Sequence, residues 1–362
     1  MIRKLFVFHF LILFAAGCLN AETDSTVKTF LKNTSISGQW FVNNVYDDVS
    51  KIDRFSLKRG YFTIKAKLSD MFSVRYTQDI TIDNEGSDAG NVEIRLKYLY
   101  MKMKLLEIDW LKNSYFEIGL VHRPWLDFEE HINRYRVQGK MFIERYGIVN
   151  SADFGITFVS LLGGLIDEEY QKEVNKTYPG KYGSLALGVY NGGGYHAVEM
   201  NNNKTLEGRL TLRPLPEIYP GMQLSYTFIL GMANTISNQT DFNVNLFMLS
   251  SESKYHVATA QYYLGKGDYH GDYATNLGKS LRNRGYSFFG EFKIPSTSLA
   301  LMGRYDKFYS LDTGIYDQNT AIAGIAYRFM KSKVLLDYNR YEEYDLTRNT
   351  YEISLEIIFS RL

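Results

Sequence analysis

The chain is poor in cysteine and proline, and after its first residues it lacks any long apolar stretch. Its 362 residues include one cysteine, Cys18, and six prolines. A single thiol cannot form an intramolecular disulfide, so stability must come from backbone pairing and packing. Beyond Ala21 no apolar run reaches the roughly 20 residues that a membrane-spanning helix needs, which excludes a helical membrane protein.

An excess of charge of one sign is also absent. The chain has 41 basic and 40 acidic residues, a net charge of +1, with no basic stripe. Nucleic acid is therefore not expected as a partner, because its binding surfaces carry clustered Lys and Arg. Aromatic residues, in contrast, are abundant, with 29 Tyr and 23 Phe.

The first residues have the pattern of an export signal. Arg3 and Lys4 precede an apolar run of twelve residues and then small residues. This pattern predicts a secretory signal peptide over 1–21, cleaved after Ala21. Lipidation of Cys18, as in a lipoprotein, is the alternative.

The exported part alternates apolar and polar side chains in about sixteen short segments, the last being TYEISLEIIF at 350–359. A period of two residues places each set on one face of a strand. One face stays apolar and the other carries charges, which predicts a transmembrane antiparallel β-barrel of about 16 strands with lipid outside and water inside. We assign 22–37 to a short periplasmic segment and 38–362 to the barrel. Sixteen strands leave a lumen wide enough for water.

The polar face contains ten basic and eight acidic residues. They are Arg59, Lys65, Arg75, Glu93, Arg95, Lys97, Glu117, Glu207, Arg209, Arg213, Glu291, Lys293, Arg304, Asp306, Arg328, Asp337, Glu352 and Glu356. Three further charges, Lys58, Lys102 and Arg340, fall on the apolar face. A bulge within 91–104 or an interfacial position would explain them.

The connections indicate an orientation. Those after even-numbered segments are mostly tight, and those after odd-numbered segments are longer. Short periplasmic turns and longer outside loops are typical of the outer membrane of a diderm bacterium, which is the expected location. Two connections are unusually long: 124–151 on the outside and 161–181 on the inside, where we expect a strand extension or a short helix.

Four stretches, in this order, resemble the phosphate-selective porin family (porins O and P). They are FSLKRGYFTIKAKLSDMFSVRYTQD, YFEIGLVHRPWLDFEE, LALGVYNGGG and LEGRLTLRPLP. The resemblance covers nearly the whole exported chain and lies in its layout. It implies a trimeric sixteen-stranded channel whose third outside loop, here about 124–150, folds into the lumen and narrows it. It also implies an anion preference set by basic residues, carried over to Arg59, Arg75 and Arg95 on the wall and to Arg123, Arg134 and Arg136 at the loop.

Opposite charges also pair along single strand faces in Glu93-x-Arg95 and Glu207-x-Arg209. Such pairs either create a field across the pore or balance the charge of a wet wall. Arg134 and Arg136 either meet anions or anchor the loop. The full candidate pore set is Arg59, Arg75, Arg95, Lys97, Arg123, Arg134, Arg136, Arg209, Glu93, Glu117 and Glu207.

The near balance of wall charges favours a porin for passive diffusion of small hydrophilic solutes or ions, with weak or mixed selectivity and anions such as phosphate as one option. No cofactor, metal or catalytic group is expected, although Asp268, His270 and Asp272 form either a calcium site or a solvated loop. The alternatives are a barrel hydrolase and an adhesin. Expected partners are outer-membrane lipid and lipopolysaccharide, the barrel-assembly machinery through the C-terminal strand with Phe359, and two further copies in a homotrimer.

Overall fold

The computed structural model describes residues 32–83, 86–236, 240–312 and 317–360. The predicted signal peptide over 1–21, with Cys18, lies outside the described residues, as do 22–31 of the predicted periplasmic segment. The first strand begins at Thr34, four residues before the predicted start of the barrel at 38.

Sixteen antiparallel strands form one closed barrel. In chain order they are β1 Thr34–Asp47, β2 Ile52–Lys67, β3 Phe72–Ile82, β4 Val92–Lys104, β5 Leu111–His122, β6 Ala152–Leu162, β7 Gly183–Tyr190, β8 Thr205–Leu212, β9 Gln223–Met232, β10 Asp241–Glu252, β11 His256–Lys266, β12 Arg282–Lys293, β13 Leu299–Ser310, β14 Gln318–Phe329, β15 Ser332–Glu343 and β16 Leu346–Ser360. Each strand pairs with its neighbours in sequence, and β1 pairs with β16 from Ser37↔Ser360 to Asp47↔Thr350. The fold prediction is confirmed. Closure leaves no unpaired strand edge, which a bilayer would not tolerate.

Two bulges explain charges that the sequence pattern assigned to the wrong face. The β1–β2 register shifts beside Lys58, which points inward and forms an ion pair of 2.6 Å with Glu352. The β3–β4 register shifts at Lys97, and beyond it Lys102 lies 3.1 Å from Glu117. An extra residue reverses the facing of the positions that follow it, so the bulge predicted within 91–104 is confirmed. Arg340, near the end of β15, pairs with its neighbour Glu342 on an exposed surface.

The two ends of the barrel differ in their connections. At one end, the turn end, the connections are 68–71, 105–110, 163–182, 213–222, 253–255, 294–298 and 330–331. At the other, the loop end, they are 48–51, 83–91, 123–151, 191–204, 233–240, 267–281, 311–317 and 344–345. The expected parity holds except at the long turn-end connections 163–182 and 213–222 and at the short loop-end connections 48–51 and 344–345.

Three short helices lie in the two longest connections. They are α1 Pro124–Ile132, α2 Phe142–Arg145 and α3 Glu168–Glu173. Pro124 suits the first turn of α1 because its missing N–H would have no helical partner there. Asp167 caps α3 by accepting a hydrogen bond from the Tyr170 amide. No helix in the described part of the chain is long and apolar enough to cross a membrane.

The hydrophobic core lies inside the barrel, where the long connection packs against the wall. Inward side chains such as Phe242, Val244 and Phe308 are fully buried and pack against Trp125 and Phe142 of the long connection. The outward side chains remain exposed, as expected for a lipid-facing surface. The inner wall that the long connection covers therefore combines an apolar cluster with buried polar side chains such as Glu207, Arg209 and Gln261.

Candidate functional site

The loop-end connection 123–151, called here the long loop, crosses the lumen. It hydrogen-bonds to inward side chains of four different strands: Gln261 to Glu129 at 2.9 Å, Tyr135 to Glu291 at 2.9 Å, Arg304 to the Lys140 carbonyl at 2.8 Å, and Lys333 to the Arg134 carbonyl at 2.5 Å. These strands, β11, β12, β13 and β15, lie on the side of the barrel opposite β5 and β6, which the loop connects, so the loop extends across the lumen. The space left open lies between it and the wall formed by β1–β4 and β14–β16.

Three predicted pore residues hold the start of this loop instead of facing the open space. Arg123 donates from Nε to Glu207 at 2.5 Å and lies 3.6 Å from Asp153. Glu207 also accepts a hydrogen bond from the Trp125 amide at 3.1 Å, and Arg209 donates to the Pro124 carbonyl at 3.1 Å. All three candidates are about 1% exposed, which makes them anchors of α1.

The other two candidate arginines of the loop differ from each other. Arg136 makes two hydrogen bonds to Glu144, one of them 2.8 Å long, and lies 3.3 Å from Glu130. Burial would raise the pKa of Glu144, but Arg136 lowers it to about 2, so this carboxylate stays charged and holds the loop together. Arg134 is exposed and donates to the Val174 carbonyl at 2.9 Å, with no ion pair among the described residues.

A cavity of about 460 Å³ lies at the turn end, between the long loop and the wall, and we call it the turn-end chamber. Its lining contains seven Lys or Arg side chains and three carboxylates, an excess of four positive charges with histidines neutral. The basic residues are Lys65, Arg75, Lys97, Arg134, Arg136, Lys331 and Lys333; the acidic ones are Asp127, Glu130 and Glu356.

Three cations on adjacent strands dominate this chamber. Lys65 and Arg75 are direct register partners across β2 and β3. Arg75 donates to Nε2 of His122 at 2.8 Å, and Lys97 donates to the Tyr61 hydroxyl at 3.2 Å. None of the three cations forms an ion pair with a carboxylate among the residues that the structure describes. Their charge is therefore left to the chamber.

Other candidate wall residues have ion-pair partners. Arg59 and Arg95 share the buried carboxylate of Asp79, at 3.4 and 3.0 Å, and Glu93 lies 3.5 Å from Arg95. Two arginines and two carboxylates in contact leave no net charge. Glu117, the last of the candidates, is buried between His122 at 2.9 Å and Lys102 at 3.1 Å.

A second cavity, the loop-end chamber, lies against the same wall nearer the loop end and has a volume of about 640 Å³. Its lining carries equal numbers of basic and acidic side chains: Arg54, Arg145 and Arg348 against Asp47, Glu343 and Glu352. The remaining lining is mostly neutral polar. The two chambers thus differ in charge, with one balanced and the other positive.

Sequence reasoning did not include Lys65, Lys331, Lys333 and His122 among the candidate pore residues. Lys65 was already on the predicted polar face. Lys331 and Lys333 lay in a tight predicted turn, and closure of the barrel brings that turn beside β1 and β2. Among the described residues no cluster of His, Cys, Asp or Glu has the arrangement of a metal site. Asp268 instead accepts hydrogen bonds from three loop amides, those of His270, Gly271 and Tyr273.

Comparison with known proteins identifies the fold. The sequence matches no protein-family model, and no curated protein matches it significantly. Solved structures do match. OmpT in trimer form, an outer membrane protein of Vibrio cholerae, is 12% identical, with a TM-score of 0.59 over 90% of this chain and 99% of that one. An anion-selective porin from Comamonas acidovorans is 8% identical, with a TM-score of 0.59 over 90% and 99%. The outer membrane channel DcaP of Acinetobacter baumannii is 12% identical, with a TM-score of 0.58 over 90% and 96%. This chain therefore has the fold of outer-membrane porins.

Proposed function

We propose that the protein is an outer-membrane porin through which small hydrophilic solutes and ions diffuse passively, with a preference for anions such as phosphate. The observation that carries this proposal is the excess of four positive charges in the turn-end chamber. Rings and clusters of Lys and Arg favour anions in a pore, and low-dielectric walls focus their field.

The arrangement of the cations supports the anion preference. Lys65 and Arg75 are opposite each other on neighbouring strands, where like charges repel. A passing anion relieves that repulsion, whereas a cation increases it. Because both side chains border the open space, the attraction acts on the solute.

The porin fold and the sequence resemblance support a wider setting for this function. Under the proposal the turn end faces the periplasm, and lipopolysaccharide surrounds the loop end in the outer membrane of a diderm bacterium. The chain forms a homotrimer of the phosphate-selective porin type. Phe359, which packs edge-on against Trp40 at a centroid distance of 5.9 Å where the barrel closes, serves as the aromatic signal for the assembly machinery.

The test is reconstitution of the purified protein in planar bilayers, first in potassium chloride and then with phosphate added. We expect discrete conductance steps, and phosphate should reduce the chloride current because it occupies the positive chamber for longer. Matched addition of neutral sucrose controls for viscosity. Absence of conductance steps from a correctly folded barrel would contradict the proposal. So would a chloride current that is reduced no more by phosphate than by the matched addition of sucrose.

A further inference from the structure

The turn-end connection 163–182, called here the turn-end insert, folds into the barrel from the end opposite the long loop. Its base is fixed by the Gly163 amide, which donates to the Trp110 carbonyl at 3.0 Å, and by a β-bridge between Leu165 and Gly180. Beyond α3 the chain turns inward, so that Asn175 and Tyr178 are less than a tenth exposed. A connection that merely joined β6 to β7 would need only a few residues.

The insert contacts the long loop at α1. The Tyr178 hydroxyl donates to Oδ2 of Asp127 at 2.5 Å, and its ring packs against Phe128 with centroids 5.5 Å apart. Asn175 donates from Nδ2 to the His131 carbonyl at 3.0 Å. One short segment, entering from the turn end, therefore holds both the first and the last turn of α1.

The insert is also attached to the wall. Asn175 lies 3.0 Å from the Glu252 carboxylate on β10. The Arg209 guanidinium on β8 lies between two rings, 4.2 Å from that of Phe128 and 4.7 Å from that of Tyr178. Such a stacked arginine fixes the planes of both rings. The insert thus joins α1 to the wall on the side away from the open space.

We propose that the turn-end insert braces the long loop, in which role Asn175 and Tyr178 are positioning residues that set the aperture of the turn-end chamber by holding α1. This inference rests on the proposed porin function. The long loop, which enters from the loop end, is then held in place by a segment that enters from the turn end. Loss of the contacts that Asn175 and Tyr178 make with α1 lets this helix move. The turn-end chamber then widens, and its width fluctuates.

The insert also controls one charge of the chamber. Asp127 is one of only three carboxylates in its lining. Burial would raise the pKa of Asp127, but His122, His131 and the Tyr178 hydroxyl hold it below its ordinary value. The bond to Tyr178 therefore keeps a charged carboxylate turned toward the insert.

The experiment compares single-channel conductance in about 1 M KCl, where screening limits charge effects to roughly 3 Å and conductance reports aperture. The Asn175→Ala/Tyr178→Ala double variant removes both contacts with α1. Because the insert and loop block much of the lumen, we expect conductance to rise about 1.5- to 2-fold, with noisier open-channel current. Lys172→Ala, at an exposed position of α3, is the matched control and should leave conductance unchanged.

Tyr178→Phe keeps the ring and removes only the hydroxyl that bonds to Asp127. This milder variant tests the proposal if the double variant does not fold. We expect normal mean conductance with increased noise. A folded double variant with wild-type conductance and noise would overturn the inference, as would a quiet Tyr178→Phe channel where the double variant does not fold. Wild-type protein that forms no channel would instead contradict the porin function, so the two failures are distinguishable.

Discussion

The turn-end and loop-end chambers lie beside the same loop and the same wall, toward opposite ends of the barrel, yet only the first has a net charge. The turn-end chamber has four more basic than acidic side chains, whereas the loop-end chamber has equal numbers. Counting charges over the whole wall hides this difference. What a solute meets depends on which charges remain without a partner beside the open space.

Ion pairs between buried carboxylates and arginines anchor the long loop. Glu207 binds Arg123, Glu144 binds Arg136, and Asp306 lies 3.5 Å from Arg145. These carboxylates are buried in their pairs and contribute little to the field in the passage. Lys65 of β2 and Arg75 of β3, in contrast, border the turn-end chamber without an ion-pair partner among the described residues, so their charge remains.

The largest expected effect comes from removing an anchor of the long loop, beside which both chambers lie. Arg123→Ala leaves Glu207 and Asp153 buried without their cation, which should lower the free energy of unfolding by about 3–5 kcal/mol. Urea unfolding in detergent measures this loss. Arg282→Ala is the control, since its exposed pair with Asp312 is screened by solvent and should contribute little to stability. Equal losses in the two variants would show that Arg123 is not an anchor.

A smaller effect is the pH dependence of stability that comes from Glu129, through which α1 is bonded to the barrel wall. Burial raises the pKa of Glu129 to about 7 from an ordinary value of 4.5. Because the folded state binds this proton more tightly than the unfolded state, stability should fall as pH rises from about 4.5 to 7. Between pH 5 and 8 the loss should be on the order of 2 kcal/mol. Unfolding at several pH values measures it.

Glu129→Gln is the control for that prediction, because it keeps the shape of the side chain and cannot ionise. The difference in stability between wild type and the variant should therefore change with pH through the same window. A constant difference from pH 5 to 8 would contradict the assigned role of Glu129.

The smallest effect in free energy is on ion selectivity, and it tests the difference in charge between the two chambers most specifically. Lys65→Glu/Lys331→Glu lowers the charge of the turn-end chamber by four and should abolish anion preference. A permeability ratio of about threefold, falling to about one, corresponds to under 1 kcal/mol. Zero-current potentials measure the ratio.

The matched control, Arg54→Glu/Arg348→Glu, makes the same formal change in the loop-end chamber. That chamber is larger, about 640 against 460 Å³, so the shift in the ratio should be less than half as great. An equal shift would mean that the two chambers contribute alike to selectivity.

The barrel was predictable from sequence because alternation is a local property that every strand displays. The facing of Lys58 was not, since one bulged residue reverses the pattern without altering the hydrophobic count, whereas the bulge that turns Lys102 inward was predicted within 91–104. Lys331 and Lys333 join the chamber only through barrel closure, which brings together residues far apart in the chain. The short helix expected within 161–181 is present as α3, but its neighbour Tyr178 docks on α1, a contact that depends on where the long loop lies.

The most direct test of the account is the zero-current potential of the wild-type channel in a planar bilayer under a roughly tenfold KCl gradient. The positive turn-end chamber predicts a potential with the sign of the chloride equilibrium potential and a magnitude of about 20 mV or more. A potential near zero, or one with the sign of the potassium equilibrium potential, would contradict the claim that unpaired cations in this chamber set the selectivity.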